Sequence, residues 1–188
     1  MRRIILFSIA ILLLSAAGAY AQRTAYQEYQ VTARGQLSNN SIGAEVSFGS
    51  YLVDGYWAGG ISAVNRAAIE NLSREVVSFP RVEVFGQLMW APYRNRSREL
   101  NTYVGGDLFV GWELMDPLKS SPDHIRQSLK NAGYDTSRFI YGAALRAEVE
   151  WFVSDRFALL AAVRTPAAFR SKLRVFGWEA GIGIRQNF

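Results

Sequence analysis

The sequence predicts an all-β protein: an antiparallel transmembrane β-barrel of about eight strands, preceded by a cleaved signal peptide. Three observations predict it. The N-terminus has the charged, apolar and small-residue regions of an export signal. The residues after it alternate between apolar and polar with a period of two, the mark of strands with unlike faces. No later stretch approaches 18 continuous apolar residues, so only a closed barrel of strands is left to cross a membrane.

Arg2 and Arg3 form the charged region, and Ile4 to Leu14 is apolar apart from Ser8. Ala19-Tyr20-Ala21 is an A-x-A cleavage pattern, which places the cut before Gln22. As a helix, Ile4 to Leu14 spans roughly 16 Å, about half of a hydrocarbon core of about 30 Å. Residues 1–21 are therefore expected to be a signal peptide. Residues 22–188 then form one domain, since about 150 residues is an ordinary domain length.

Composition narrows the chemistry. With 49% hydrophobic and 20% charged residues, long disorder is not expected. The chain has no cysteine, which excludes disulfides, thiolate metal sites and a cysteine nucleophile. A single histidine, His124, argues against a histidine metal site or a Ser-His-Asp triad. The net charge is +5, and without Arg2 and Arg3 the balance is 19 basic against 16 acidic residues. That balance gives no reason to expect direct nucleic-acid binding.

The strands follow in order. Gln30 to Leu37 sets Val31, Ala33 and Leu37 against Gln30, Thr32, Arg34 and Gln36. Ile42 to Val53 sets Ile42, Ala44, Val46, Phe48 and Leu52 against Gly43, Glu45, Ser47 and Gly49. Gly55 to Asn65 is strand-like and rich in small residues. Arg81 to Ala91 sets Val82, Val84, Leu88 and Trp90 against Arg81, Glu83 and Gln87. Thr102 to Met115 places Val104, Leu108, Val110, Trp112 and Leu114 opposite Asp107, Gly111 and Glu113. Phe139 to Val153 places Tyr141, Leu145, Val149 and Trp151 opposite Arg146, Glu148 and Glu150. Arg156 to Thr165 is nearly all apolar, with Arg156 and Arg164 on one parity. Phe176 to Phe188 sets Trp178, Ala180, Ile182, Ile184 and Gln186 against Glu179, Gly181, Gly183 and Arg185.

A soluble sandwich also alternates, but two features favour the membrane barrel. The polar face carries glycine and mixed charge in place of lysine. Aromatics on the apolar face recur at membrane width: Tyr141 and Trp151, and Trp178 and Phe188, are each ten residues apart. Ten residues at about 3.3 Å, tilted roughly 40°, rise about 25 Å, the height of the apolar band between aromatic girdles. Trp90 and Trp112 are expected to join these residues at the membrane interfaces.

Tight turns are expected at Asp54-Gly55 and Ser154-Asp155. Long loops are expected over Arg66 to Ser78 and Asp116 to Ser137, with Pro92 to Asn101 a longer connection on the side of the tight turns. Within Asp116 to Ser137 the sequence predicts a helix, capped by Ser121, opened by Pro122 and closed by Gly133.

The polar face is expected to fill the barrel interior with a charge network of Arg34, Glu45, Arg81, Glu83, Asp107, Glu113, Arg146, Glu148, Glu150, Arg164, Glu179 and Arg185. Eight strands leave room for little more than side chains, and buried charges must be paired. Glu148 and Glu150 lie on one face and also fit an acid–base pair, though pairing with arginine is the preferred reading. His124 and the nearby serines would suit a lipid-modifying enzyme only if held rigidly at the lipid edge, and a loop helix does not do that. Arg94, Arg96 and Arg98 are read as solvated or lipid-contacting. Gly181-x-Gly183 is not a nucleotide loop. No catalytic, cofactor or metal residues are assigned, and no cofactor is expected.

The last fifty residues resemble the TraO family of conjugative-transposon transfer proteins. The resemblance lies in Phe139-Ile140-Tyr141-Gly142, Val153-Ser154-Asp155-Arg156-Phe157, Arg164-Thr165 and Gly181-Ile182-Gly183-Ile184-Arg185-Gln186-Asn187-Phe188. The leader and Phe79-Pro80 are also similar, and Gln186 departs from an often apolar or aromatic position. The resemblance implies an exported outer-membrane component or accessory of a conjugation apparatus in Gram-negative bacteria, and no enzyme. Its implied partners are outer-membrane lipid, the barrel-assembly machinery and other conjugation proteins. A lipid-modifying barrel enzyme and a general envelope-integrity or adhesion barrel are the alternatives.

Overall fold

The computed structural model describes residues 29–38, 41–69, 76–94, 100–114, 123, 127, 131, 137–171 and 176–188. Eight strands form a closed antiparallel barrel in sequence order. They are β1 (Tyr29–Ser38), β2 (Ser41–Leu52), β3 (Gly55–Ile69), β4 (Val76–Arg94), β5 (Leu100–Glu113), β6 (Arg138–Phe152), β7 (Phe157–Phe169) and β8 (Glu179–Asn187). β1 closes the barrel on β8, from Gln30 opposite Asn187 to Leu37 opposite Ala180. Full closure leaves no sheet edge along this band, which removes the pairing hazard of open sheets.

Alternation decides which way each strand faces. In β1, Gln30, Thr32, Arg34 and Gln36 are buried, while Tyr29, Val31 and Leu37 are exposed. In β6, Arg146, Glu148 and Glu150 are buried, while Leu145, Val149 and Trp151 are exposed. The barrel is thus polar inside and apolar outside, the reverse of a water-soluble barrel and the arrangement of a membrane barrel. Among the described residues no helix is long and apolar enough to cross a membrane.

Two apolar clusters share the interior with the charges. One joins Tyr56, Ala58, Met89 and Tyr103, and the other Phe85, Phe109, Ile140 and Ala168. Tyr29 of β1 and Asn187 of β8 lie at the same end of the barrel, as do the connections β2–β3, β4–β5 and β6–β7. The other four connections lie at the far end.

Several boundaries differ from the sequence reading. The tight turn after β2 is Val53-Asp54, because Gly55 already pairs with Leu52. The turn after β6 takes in residues 153–156, with Val153 and Ser154 both donating to the Phe157 carbonyl. Pro92 does not end β4: a bulge between Trp90 and Tyr93 absorbs it, and Arg94 still pairs with Asn101. Proline is tolerated at bulges because no ladder hydrogen bond is demanded there. The expected long connection Pro92 to Asn101 therefore shrinks to residues 95–99.

The expected loop Arg66 to Ser78 is largely paired. Arg66 sits opposite Phe79, and Ile69 opposite Val76. β5 stops pairing with β4 at Arg81, so this hairpin rises past its neighbour. Released from the two-faced pattern of the band, its sequence carries no period. β7 runs through Pro166 to Phe169, beyond Thr165. The β7–β8 ladder ends at Arg164 and Glu179, so Pro166 meets no ladder demand from β8. β8 is correspondingly shorter than expected: Phe176 makes only an isolated bridge to Ala167, and Trp178 precedes the strand.

The predicted loop helix is described only at Asp123, Gln127 and Asn131, which are helical and exposed. His124, Ser121, Pro122 and Gly133 lie outside the described residues, as do the signal peptide and Arg96 and Arg98.

Candidate functional site

All twelve charges assigned to the interior from the sequence are buried there. Cross-strand register begins the assembly. Arg34 lies opposite Glu45 on β2 and opposite Gly183 on β8. Because Gly183 and the neighbouring Gly181 have no side chains, the Arg34 stem lies across them. A Cβ on Gly181 would come within 2.9 Å of Arg34 Cδ.

At the end where β1 begins and β8 finishes, Arg185 is the organising cation. Its guanidinium donates to Glu150 Oε1 at 2.8 Å, Glu148 Oε1 at 2.7 Å and Thr32 Oγ1 at 3.0 Å. One side chain thus ties β8 to β1 and to β6. The guanidinium also lies over the Tyr56 ring, 4.5 Å from its centroid, an attraction strengthened by desolvation. Glu150 is saturated by further donors: Tyr103 at 2.8 Å, Tyr51 at 3.0 Å and Asn101 at 3.2 Å. Glu148 accepts from Arg34 at 2.5 Å and from Tyr56 at 3.1 Å.

In the middle, Arg146 grips Glu45 through two bonds, at 2.8 and 3.0 Å, and reaches Asp107 at 3.3 Å. Gln36 donates to the same Glu45 at 2.6 Å. Arg146 also lies over the Phe85 ring. Toward the far end, Arg164 holds Asp107 bidentately at 2.7 and 2.9 Å. Its remaining nitrogen reaches Glu83 at 3.1 Å and Glu179 at 3.0 Å. Arg81 pairs with Glu83, and Ser171 donates to Glu113 at 2.5 Å.

These contacts form a ladder of ion pairs along the barrel. Every cation named in it is arginine, whose planar fork can serve two or three carboxylates at once. Glu148 and Glu150 stand side by side, as an acid–base pair would, but each is occupied by arginine and tyrosine donors. Among the described residues no group of His, Cys, Asp and Glu could hold a metal ion. The arrangement neutralises charge and fills space.

Sequence reasoning passed over Tyr51, Tyr56, Tyr103 and Asn101. Parity was the available signal: Tyr103 shares the face of Asp107, and Tyr51 that of Gly49. The interface aromatics Trp90, Trp112, Tyr141, Trp151, Trp178 and Phe188 are all exposed on the outer face. Trp112, Phe139, Tyr141 and Phe169 stand in successive ring contact at the far end, with centroids 5.1 to 6.4 Å apart.

A family model described as conjugative transposon protein TraO matches residues 86–188. No curated protein matches. Among solved structures, the chain is similar to Neisserial surface protein A, with TM-score 0.59 and 13% identity, covering 87% of this chain and 98% of that one. It is also similar to the N-terminal β-barrel domain of Pseudomonas aeruginosa OprF, with TM-score 0.53 and 15% identity, covering 86% and 98%. The Yersinia pestis outer membrane protein Ail in a phospholipid bilayer nanodisc gives TM-score 0.50 and 14% identity, covering 86% and 99%. At these identities the likeness is one of fold.

Proposed function

The chain belongs to the conjugative transposon protein TraO family, and from that premise we propose that it is a non-catalytic outer-membrane component or accessory of a conjugative DNA-transfer apparatus. Export through the predicted signal peptide would deliver it to the outer membrane, with the start of β1 and the finish of β8 on the periplasmic side. The β2–β3, β4–β5 and β6–β7 connections, none longer than five residues, then face the periplasm, and the outside takes the two-residue β1–β2 connection together with the longer ones, as in barrels of this type.

One observation supports the non-catalytic reading above the others: Glu148 and Glu150, the two carboxylates placed as an acid–base pair, are each held by arginine and tyrosine donors. A general acid or base must reach a substrate atom, and Glu148 and Glu150 are engaged by the barrel's own side chains. The outward face contacts lipid, and the β3–β4 hairpin and the β5–β6 connection are where partner proteins of the apparatus would bind.

The test is mating frequency from a donor with an in-frame deletion, with and without the gene restored. A large, restorable drop supports a place in the transfer apparatus. Unchanged mating, with sensitivity to detergents, would favour an envelope-integrity barrel.

A further inference from the structure

The outer surface is not evenly convex. An apolar groove of about 840 Å³ runs across the wall from β5 through β6, β7, β8 and β1 to β2. Its floor is backbone and short side chains at Gly35, Ala147, Ala161 and Ala180, and its flanks include Leu37, Val149 and Ile182. Virtually all of its lining is carbon. Along β8 and the residues before it, one face carries Phe176, Trp178, Ala180 and Ile182, so the groove continues upward into aromatic residues. Phe176 is bridged to Ala167 of β7, and the contacting rings of Trp112, Phe139, Tyr141 and Phe169 stand beside it.

Among the described residues this upper girdle is one-sided. Its large rings come from β5 to β8, whereas the rings at the lower end come from strands around the barrel: Tyr29, Phe48, Trp57, Trp90, Trp151 and Phe188. Arg170, exposed and held at a left-handed φ of 63°, follows Phe169 immediately past the end of β7. An arginine at a membrane boundary directs its charge to the headgroup layer. From the hydrocarbon outward, the wall thus presents a carbon-lined groove, then an aromatic ledge, then a cation.

We propose that this wall is a binding site for a phosphorylated, multiply acylated glycolipid of the outer leaflet. The acyl chains lie in the groove, the sugar rests against the aromatic ledge, and a phosphate pairs with Arg170. The charge favours this occupant over another barrel's apolar wall, because a cation held at the headgroup level is complementary to a phosphate there. The proposal rests on the outer-membrane reading above.

The test uses the full chain purified from outer membranes in mild detergent, delipidated, and titrated with bisphosphorylated lipid A under native mass spectrometry. Dephosphorylated lipid A and phosphatidylglycerol are the comparison lipids. Arg170→Glu is expected to weaken lipid A binding by about fivefold or more, the scale of one basic residue at an anionic surface. Ala161→Phe fills the groove and is expected to weaken all acylated ligands to a similar degree. Arg156→Glu, at the opposite end, is expected to have no effect. Unchanged lipid A affinity in both variants, or equal affinity for phosphatidylglycerol, would overturn the site. So would a dimer that Ala161→Phe dissolves, which would make a second copy the occupant. Unheated gel mobility is followed in parallel. A wild-type chain with no compact form and no outer-membrane fraction would sink the barrel reading itself, a result distinct from a folded barrel that ignores the lipid.

Discussion

Arg185 connects three strands through three acceptors, and both of its carboxylates are buried. Removing one partner of a buried ion pair costs about 3–5 kcal/mol, because the other charge is left uncompensated. Arg185→Leu is therefore expected to destabilise the barrel by that order, measured as the urea midpoint of the compact, unheated band. Glu148→Gln keeps the shape and the Tyr56 bond while removing the charge between Arg34 and Arg185. It is expected to cost less than Arg185→Leu and to leave mating intact once the barrel is inserted. A stable, inserted Glu148→Gln variant that no longer supports mating would restore the acid–base reading. These charges were legible in the sequence because period two assigns every residue of a strand to a face. Which carboxylate each arginine serves was not legible. That depends on barrel stagger, which brings Arg34 on β1 to Glu148 on β6, 114 positions along the chain.

The strand elements show where pattern reading works and where it stops. Glycines on the two faces differ in what surrounds them. Gly183 faces inward, and a Cβ there would lie 3.1 Å from Arg34 Cβ and closer still to the Ala33 carbonyl. Gly86 faces outward, with nothing within 4 Å of such a Cβ. Gly183→Val is expected to block closure of β8 on β1 and to abolish the compact band, while Gly86→Ala is expected to leave it unchanged. Outer-membrane extracts run without boiling distinguish the two. Strand cores were legible wherever both faces are constrained, as in β1 and β6. The ends were misplaced where that constraint lapses: at the Pro92 bulge, in the β3–β4 hairpin and at Pro166. In each case the hydrogen-bond ladder, or its absence on one edge, decides the boundary, and side-chain pattern does not report it.

The whole molecule is a closed wall around a filled interior. The ion-pair ladder runs from Arg185 and Glu150 to Arg164 and Glu179, and the aromatic clusters take the remaining space. Eight strands leave no aqueous lumen once side chains occupy it. Planar-bilayer recordings are therefore expected to show no large, stable conductance, and a reproducible open pore would contradict the filled interior. Closure and strand number were legible in advance from six alternating runs, two less regular strand-like runs and the aromatic spacing. The one-sided upper girdle was not, because it depends on which strands become neighbours at that height.

The most direct test of the account is electrophoretic mobility of the chain in isolated outer membranes, with and without boiling. A membrane-embedded barrel held by buried ion pairs keeps its compact form in detergent at room temperature and runs differently after heating. That shift is expected, together with extraction by detergent alone. An identical mobility in both lanes, from a chain that dissolves without detergent, would contradict it.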